Sequence, residues 1–199
     1  AAAHDNLIGG TVPGAGNGVY GNAPLLLATG AHHNTVQGNF IGTNATGTAG
    51  VGSVVGIDTN NSPHDNLIGG SAAGAGNVIS GNVNGIQLSD GAATNTTMGN
   101  FIGTDPTGLL PVPNTGTGVL LQTPSVGSVI GGVNPGESNT IAFNEGSAVF
   151  VNTGDVGWTI RGNSIHSNGG LGIDLDSVGP NPNDTGDTDG GGNLLQNFP

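Results

Sequence analysis

Apolar residues along this chain arrive in short bursts that stop almost as soon as they start. GIQL (85–88), GVLL (118–121), SVIGG (128–132), NTIAF (139–143), AVFV (148–151) and GIDL (172–175) each offer three to five strand-forming positions closed by Gly, Asn, Pro or Asp. Branched aliphatic runs bounded by turn formers mark strands and turns. A helix would need a 3.6-residue period held over about ten residues, and no segment holds one. With no Lys, two Glu and one Arg there is little to build a solvated helix face either. The pattern predicts an all-β chain.

The bursts also recur in register. HDNLIGG at 4–10 returns letter for letter at 64–70, GAGN at 14–17 returns at 74–77, and GNFIGT at 38–43 returns at 99–104. A third, altered copy runs through SVIGG (128–132), SNTIAFN (138–144) and GNSIHSN (162–168). A fixed period of this size signals stacked units that bury their apolar faces only against neighbours. The repeats occupy 1–176, with units near 4–63, 64–125 and 126–176, and an Asp/Gly-rich loop and cap or linker follows over 177–199. Triplets such as GVLLQ, SVIGG and NTIAFN take about 25–33 residues before the pattern restarts, which predicts three short strands per coil of a solenoid. Two coils then make one repeat, so the heptad comes back at the same azimuth two storeys up. About six to seven coils at roughly 4.8 Å each give a rod on the order of 30 Å long.

A coil turns sharply between strands, and its corners need positive φ, which Gly and Asn tolerate best. Asn22, Asn82 and Asn144 fall at matching places, as do Asn39, Asn100 and Asn163. Stacked at one corner, such side chains bond up and down the rod, so the repeated asparagines are read as ladders and not as substrate contacts. Ile68 is expected to face the core. Taken together, NLIGG…GAGNVISGN…GI…GNFIGTDPTG and the closing GIDLDSVGPNPNDTGDTDGGGNLLQNFP resemble the right-handed parallel β-helix repeat region of large bacterial secreted or surface proteins, similar in fold to pectate lyases. The resemblance spans essentially the whole chain. It implies a right-handed parallel β-helix and an extracellular setting, but a fold does not supply chemistry.

Composition narrows the function classes. Gly supplies 41 of 199 residues and charged residues only 7%, yet the aliphatic runs stay in register between the glycines, unlike a disordered linker. Thirteen acids face one basic residue, Arg161, for a net charge of −12. Nucleic acid and anionic lipid both require the opposite sign. No stretch approaches the ~18–20 apolar residues of a membrane span, and no signal-peptide pattern opens the chain. The AAA start and NFP end look like cut points of a longer protein. The absence of cysteine excludes disulfides and thiolate metal sites.

Candidate chemistry is thin. The resemblance to pectate lyases implies a Lys or Arg base acting on acidic sugars with calcium, but there is no Lys, Arg161 has no second cation beside it, and a polyuronate would meet its own sign. Glycosidases of the fold use paired carboxylates. Asp174 and Asp176 in GIDLD are the sharpest such pair, because residues two apart on a strand share a face. They adjoin Asp184, Asp187 and Asp189 in a Gly/Asn/Pro-rich loop whose mutual repulsion calls for a cation. Calcium, which takes six to eight oxygens in flexible geometry, suits that set in a structural role. His4 with Asp5 and His64 with Asp65 recur with the heptad and read as a corner feature. His32 and His33 lie in a loop, and His166 has no acidic neighbour in sequence. NAT (44–46), NNS (60–62), NTT (95–97) and NDT (183–185) match the glycosylation sequon by composition alone.

The residues therefore predict a non-catalytic structural or display module, with adhesion or carbohydrate binding carried by GTNATGTAG (42–50) and GTDPTGLLPVPNTG (103–116). The alternative is a polysaccharide-acting hydrolase or lyase, which would show a concave groove lined by two or three carboxylates. Loops on a rigid scaffold are where binding usually resides. Polysaccharide or cell-surface partners are expected, and self-association is expected through exposed coil ends, above all near Ala1–Asn6.

Overall fold

The computed structural model describes residues 2–122 and 127–175, and every regular element in them is a strand. The first three coils are β1 (Leu7–Gly9), β2 (Gly18–Val19) and β3 (Leu25–Ala28); β4 (Thr35–Gln37), β5 (Phe40–Ile41) and β6 (Val55–Asn60); and β7 (Leu67–Gly69), β8 (Val78–Ile79) and β9 (Asn84–Leu88). The next three are β10 (Thr96–Met98), β11 (Phe101–Ile102) and β12 (Val119–Leu121); β13 (Val129–Gly131), β14 (Thr140–Ala142) and β15 (Val149–Val151); and β16 (Thr159–Arg161), β17 (Ser164–His166) and β18 (Ile173–Leu175). Every third strand pairs in parallel, giving three six-stranded sheets: β1-β4-β7-β10-β13-β16, β2-β5-β8-β11-β14-β17 and β3-β6-β9-β12-β15-β18. The described residues form a parallel β-helix of six coils. Register partners Leu7, Thr35, Leu67, Thr96, Val129 and Thr159 lie 28, 32, 29, 33 and 30 residues apart.

Parallel sheets whose inner faces meet leave only the centre of the coil for apolar side chains. Stacked columns fill it: Val36, Ile68 and Ile130 from the first sheet, Ile41, Ile79, Ile102 and Ile141 from the second, and Ile57, Ile86, Val119 and Val149 from the third. Ile68 is 0% exposed, facing inward as expected. Thr97 interrupts the first column between Ile68 and Ile130, buried and with no partner for its hydroxyl.

The doubled period has a steric cause. Coils one, three and five make a long turn between the first and second sheets (10–17, 70–77 and 132–139), where coils two and four pass in little more than Gly38 and Gly99. Coils two and four instead carry a long loop between the second and third sheets (42–54 and 103–118). Adjacent strands are only about 4.8 Å apart, too close for two protrusions at one corner. Alternation lets each protrusion overhang the tight corner beside it. Gly99, at φ 70, is held between the Gly70 and Gly136 carbonyls so closely that a methyl group there would overlap both.

Candidate functional site

The corners are where polar side chains gather, and most are bound to the next coil. Before the first sheet, Asn6, Asn34, Asn66 and Asn95 form a ladder in which each Nδ2 donates to the following Oδ1 at 2.7–2.9 Å. Ser128 ends it: its Oγ accepts from the Asn95 backbone N–H, while the Asn95 Nδ2 donates to the Pro63 carbonyl. Between the first and second sheets a ladder runs unbroken through Asn17, Asn39, Asn77, Asn100, Asn139 and Asn163 at 2.9–3.0 Å. The expected set Asn39, Asn100 and Asn163 is every second member of it. Asn82, Asn114, Asn144 and Asn168 make the third ladder. Asn22 stands exposed. In the second coil Ser53 takes the equivalent place and turns its Oγ to the Val55 carbonyl (2.9 Å), which leaves the buried Asn82 Oδ1 without a donor.

The two long loops share one design. In the first, Asn44 Oδ1 accepts from the Thr48 and Ala49 amides at 2.9 and 3.3 Å. In the second, Asp105 Oδ1 accepts from Leu109 and Leu110 at 3.2 and 3.0 Å and from the Thr107 hydroxyl at 2.8 Å. Burial works against the Asp105 carboxylate, but these bonds outweigh it and hold its pKa below the ordinary value. Its contribution to stability is therefore present above the usual carboxylate range and is lost as pH falls through the lowered pKa.

Both loops lie back against the second sheet instead of standing free. Phe40 and Phe101 point outward there with Val78 between them, and Gly47 and Gly108 pack on the two rings, so that a methyl group on either would approach within 2.9 or 3.2 Å. Val78 is only 4% exposed as a result. The loops make a small second core outside the coil. Between them runs a groove of about 420 Å³, walled by 48–52 and 111–113 and floored by Gly81, with no carboxylate in its lining.

Histidines meet at another corner. His4, His32 and His64 stack with centroids 5.0 Å apart and interplanar angles of 17° and 5°. His33 lies edge-on to His32. His4 and His64 bond Asp5 and Asp65 at 2.7 and 2.9 Å, and these bonds draw both carboxylates below their usual range. His32 donates from Nδ1 to the Gly30 carbonyl at 2.9 Å. The stack was half legible in sequence: the repeated heptad pairs His4 with His64, but His32 belongs to the intervening coil, whose sequence differs. Stacked rings do not converge on a point, and among the described residues no group of three His, Asp or Glu is placed to hold a metal. His166 meets Phe143 edge-on at 5.7 Å.

Two carboxylates on the outer face of the third sheet stand apart from these networks. Burial raises the pKa of Asp58, partly offset by the Thr59 amide, and Asp90 adds repulsion. Its ionised form costs stability at neutral pH, a cost relieved as pH falls. Asp174, in β18, is 6% exposed; its Oδ2 accepts from Ser147 Oγ at 3.0 Å, while Oδ1 is buried without a partner. Asp176, Asp184, Asp187 and Asp189 lie outside the described residues. Comparison of the chain with protein-family models, curated proteins and solved structures gave no match.

Proposed function

We propose that the chain is a rigid, non-catalytic display module of an extracellular bacterial protein, a right-handed β-helix of the pectate-lyase-like type. It meets a polysaccharide or a cell-surface partner through the loops of coils two and four. One observation supports this above the rest: most of the repeated polar side chains are already bound within the fold. Asparagines bond the next coil, Asn44 and Asp105 bond their own loops, and His4 and His64 hold adjacent carboxylates. Asparagine amides carry no proton that could serve acid–base chemistry, and Asp105 is 4% exposed and turned into its own loop. Calcium is proposed as a structural ion at Asp174, Asp176, Asp184, Asp187 and Asp189, and the buried, partnerless Asp174 Oδ1 is the observation favouring it.

A glycan array combined with a reducing-sugar release assay tests the function. Binding without turnover is expected, and strong turnover of any polysaccharide would overturn the proposal. Calcium added to metal-stripped protein should raise the melting temperature at millimolar levels. An Asp174→Asn variant and an Asp187→Asn/Asp189→Asn variant should each lose that rise; an equal rise in both would eliminate the site.

A further inference from the structure

Asparagine followed by glycine is the step at which a peptide chain rearranges most readily, because no side chain on the glycine obstructs attack by its nitrogen on the asparagine amide. The chain has three such steps, Asn17–Gly18, Asn84–Gly85 and Asn168–Gly169. The reaction needs the glycine N–H unbound and the asparagine amide able to swing over it. Two of the three steps lack both conditions. The Gly85 N–H donates to the Thr117 carbonyl at 3.0 Å and the Gly169 N–H to the Asn144 carbonyl at 2.8 Å. Asn84 Oδ1 accepts from the Thr117 N–H at 3.1 Å, and Asn168 Oδ1 accepts from Asn144 Nδ2 at 2.9 Å.

The step at Asn17 differs by its place in the fold. Among the described residues β2 ends the second sheet and pairs only with β5. The Phe40 N–H donates to the Asn17 carbonyl at 2.8 Å and the Gly42 N–H to the Val19 carbonyl at 2.7 Å. Gly18, between them, therefore turns its own N–H away from β5, to the side where no described strand lies. Asn17 and Gly18 are both exposed. Asn17 Nδ2 donates to Asn39 Oδ1 at 2.9 Å, but Asn17 Oδ1 receives no donor among the described residues. A strand paired on one side opens more readily than one held between two neighbours.

We propose that Asn17 is a site of spontaneous deamidation that loosens the first coil. The Gly18 nitrogen gives its proton to a base in solvent and attacks Asn17 Cγ; the new N–Cγ bond closes a succinimide ring, and Nδ2 leaves as ammonia. Water then opens the ring at one carbonyl or the other, giving aspartate or isoaspartate, with no further reactant. Either product sets a carboxylate against Asn39 Oδ1, acceptor facing acceptor, where a donor stood. Isoaspartate also lengthens the backbone by one carbon just before β2, against the pairing of Gly18 with Phe40. The ladder through Asn17 and Asn39 loses its first rung in both cases.

The test is to hold the wild-type chain in mildly alkaline buffer for days and to read each Asn–Gly peptide by mass spectrometry, with isoaspartate assigned by electron-transfer fragmentation. Conversion at Asn17 should run at least ~10-fold faster than at Asn84 or Asn168, and the three rates should converge in denaturant. In Gly18→Ala the added methyl group meets only the Tyr20 ring, at 3.4 Å. That variant should keep the wild-type melting temperature while conversion at Asn17 slows by at least ~10-fold. Hydrogen exchange in the aged wild type should quicken over 2–31 and stay unchanged over 67–121. Equal native rates at the three steps, an unmodified Asn17, a Gly18→Ala chain that converts as fast as the wild type, or unaltered exchange over 2–31 after conversion would each overturn the proposal.

Discussion

Asn100 donates to the carbonyls of Ile68 and Met98 and to Asn139 Oδ1, all at 3.0 Å, while its own Oδ1 accepts from Asn77 at 2.9 Å. Replacing it with Ala strands several buried groups, each costing about 1–3 kcal/mol, so Asn100→Ala should lose at least ~3 kcal/mol in denaturant unfolding. Thr97 presents the opposite case. Its hydroxyl is buried between Ile68 and Ile130 without a partner, and Thr97→Val should gain about 1 kcal/mol by removing an unsatisfied polar group from an aliphatic column. A neutral Asn100→Ala would show that the ladders carry little stability. A destabilising Thr97→Val would show that the hydroxyl has a role in the column.

At the scale of the coil corner, glycine is required for two separable reasons, and two positions isolate them. Gly14 has φ 85 with nothing within 4 Å of an added methyl group, whereas Gly99 has φ 70 and is closed in by two neighbouring coils. Gly14→Ala should cost only the left-handed backbone penalty of about 1–2 kcal/mol. Gly99→Ala should cost markedly more and broaden the thermal transition, because backbone must move; equal costs at the two sites would remove the steric argument for alternation. The strands, the inward face at Ile68 and the ladder through Asn39, Asn100 and Asn163 were legible because each follows from short-range pattern and period. The packing of the loops on Phe40 and Phe101 was not legible, since an outward aromatic covered by a glycine seven residues further along the chain leaves only an ordinary-looking Phe in a strand. The intervening ladder members Asn77 and Asn139 were missed for a related reason: they follow a longer turn, so their spacing differs from that of Asn39 and Asn100.

For the molecule as a whole, the two-coil repeat is the smallest unit that stacks, because protrusions at one corner must skip a coil. The loops of coils two and four already touch across coil three, where Gly47 faces the Pro106 ring. Removing 67–95 takes out one coil and joins Asn66 to Thr96, setting those loops on adjacent strands about 4.8 Å apart. Removing 35–95 takes out two coils and joins Asn34 to Thr96, keeping the ladder residue before the strand and the alternation of protrusions. Thermal unfolding followed by circular dichroism on the two deletions is the direct measurement. The shorter, two-coil deletion protein should melt cooperatively, while the longer, one-coil deletion protein should show no cooperative transition; a one-coil deletion that melts as sharply as the other, at the same or a higher temperature, would contradict the account.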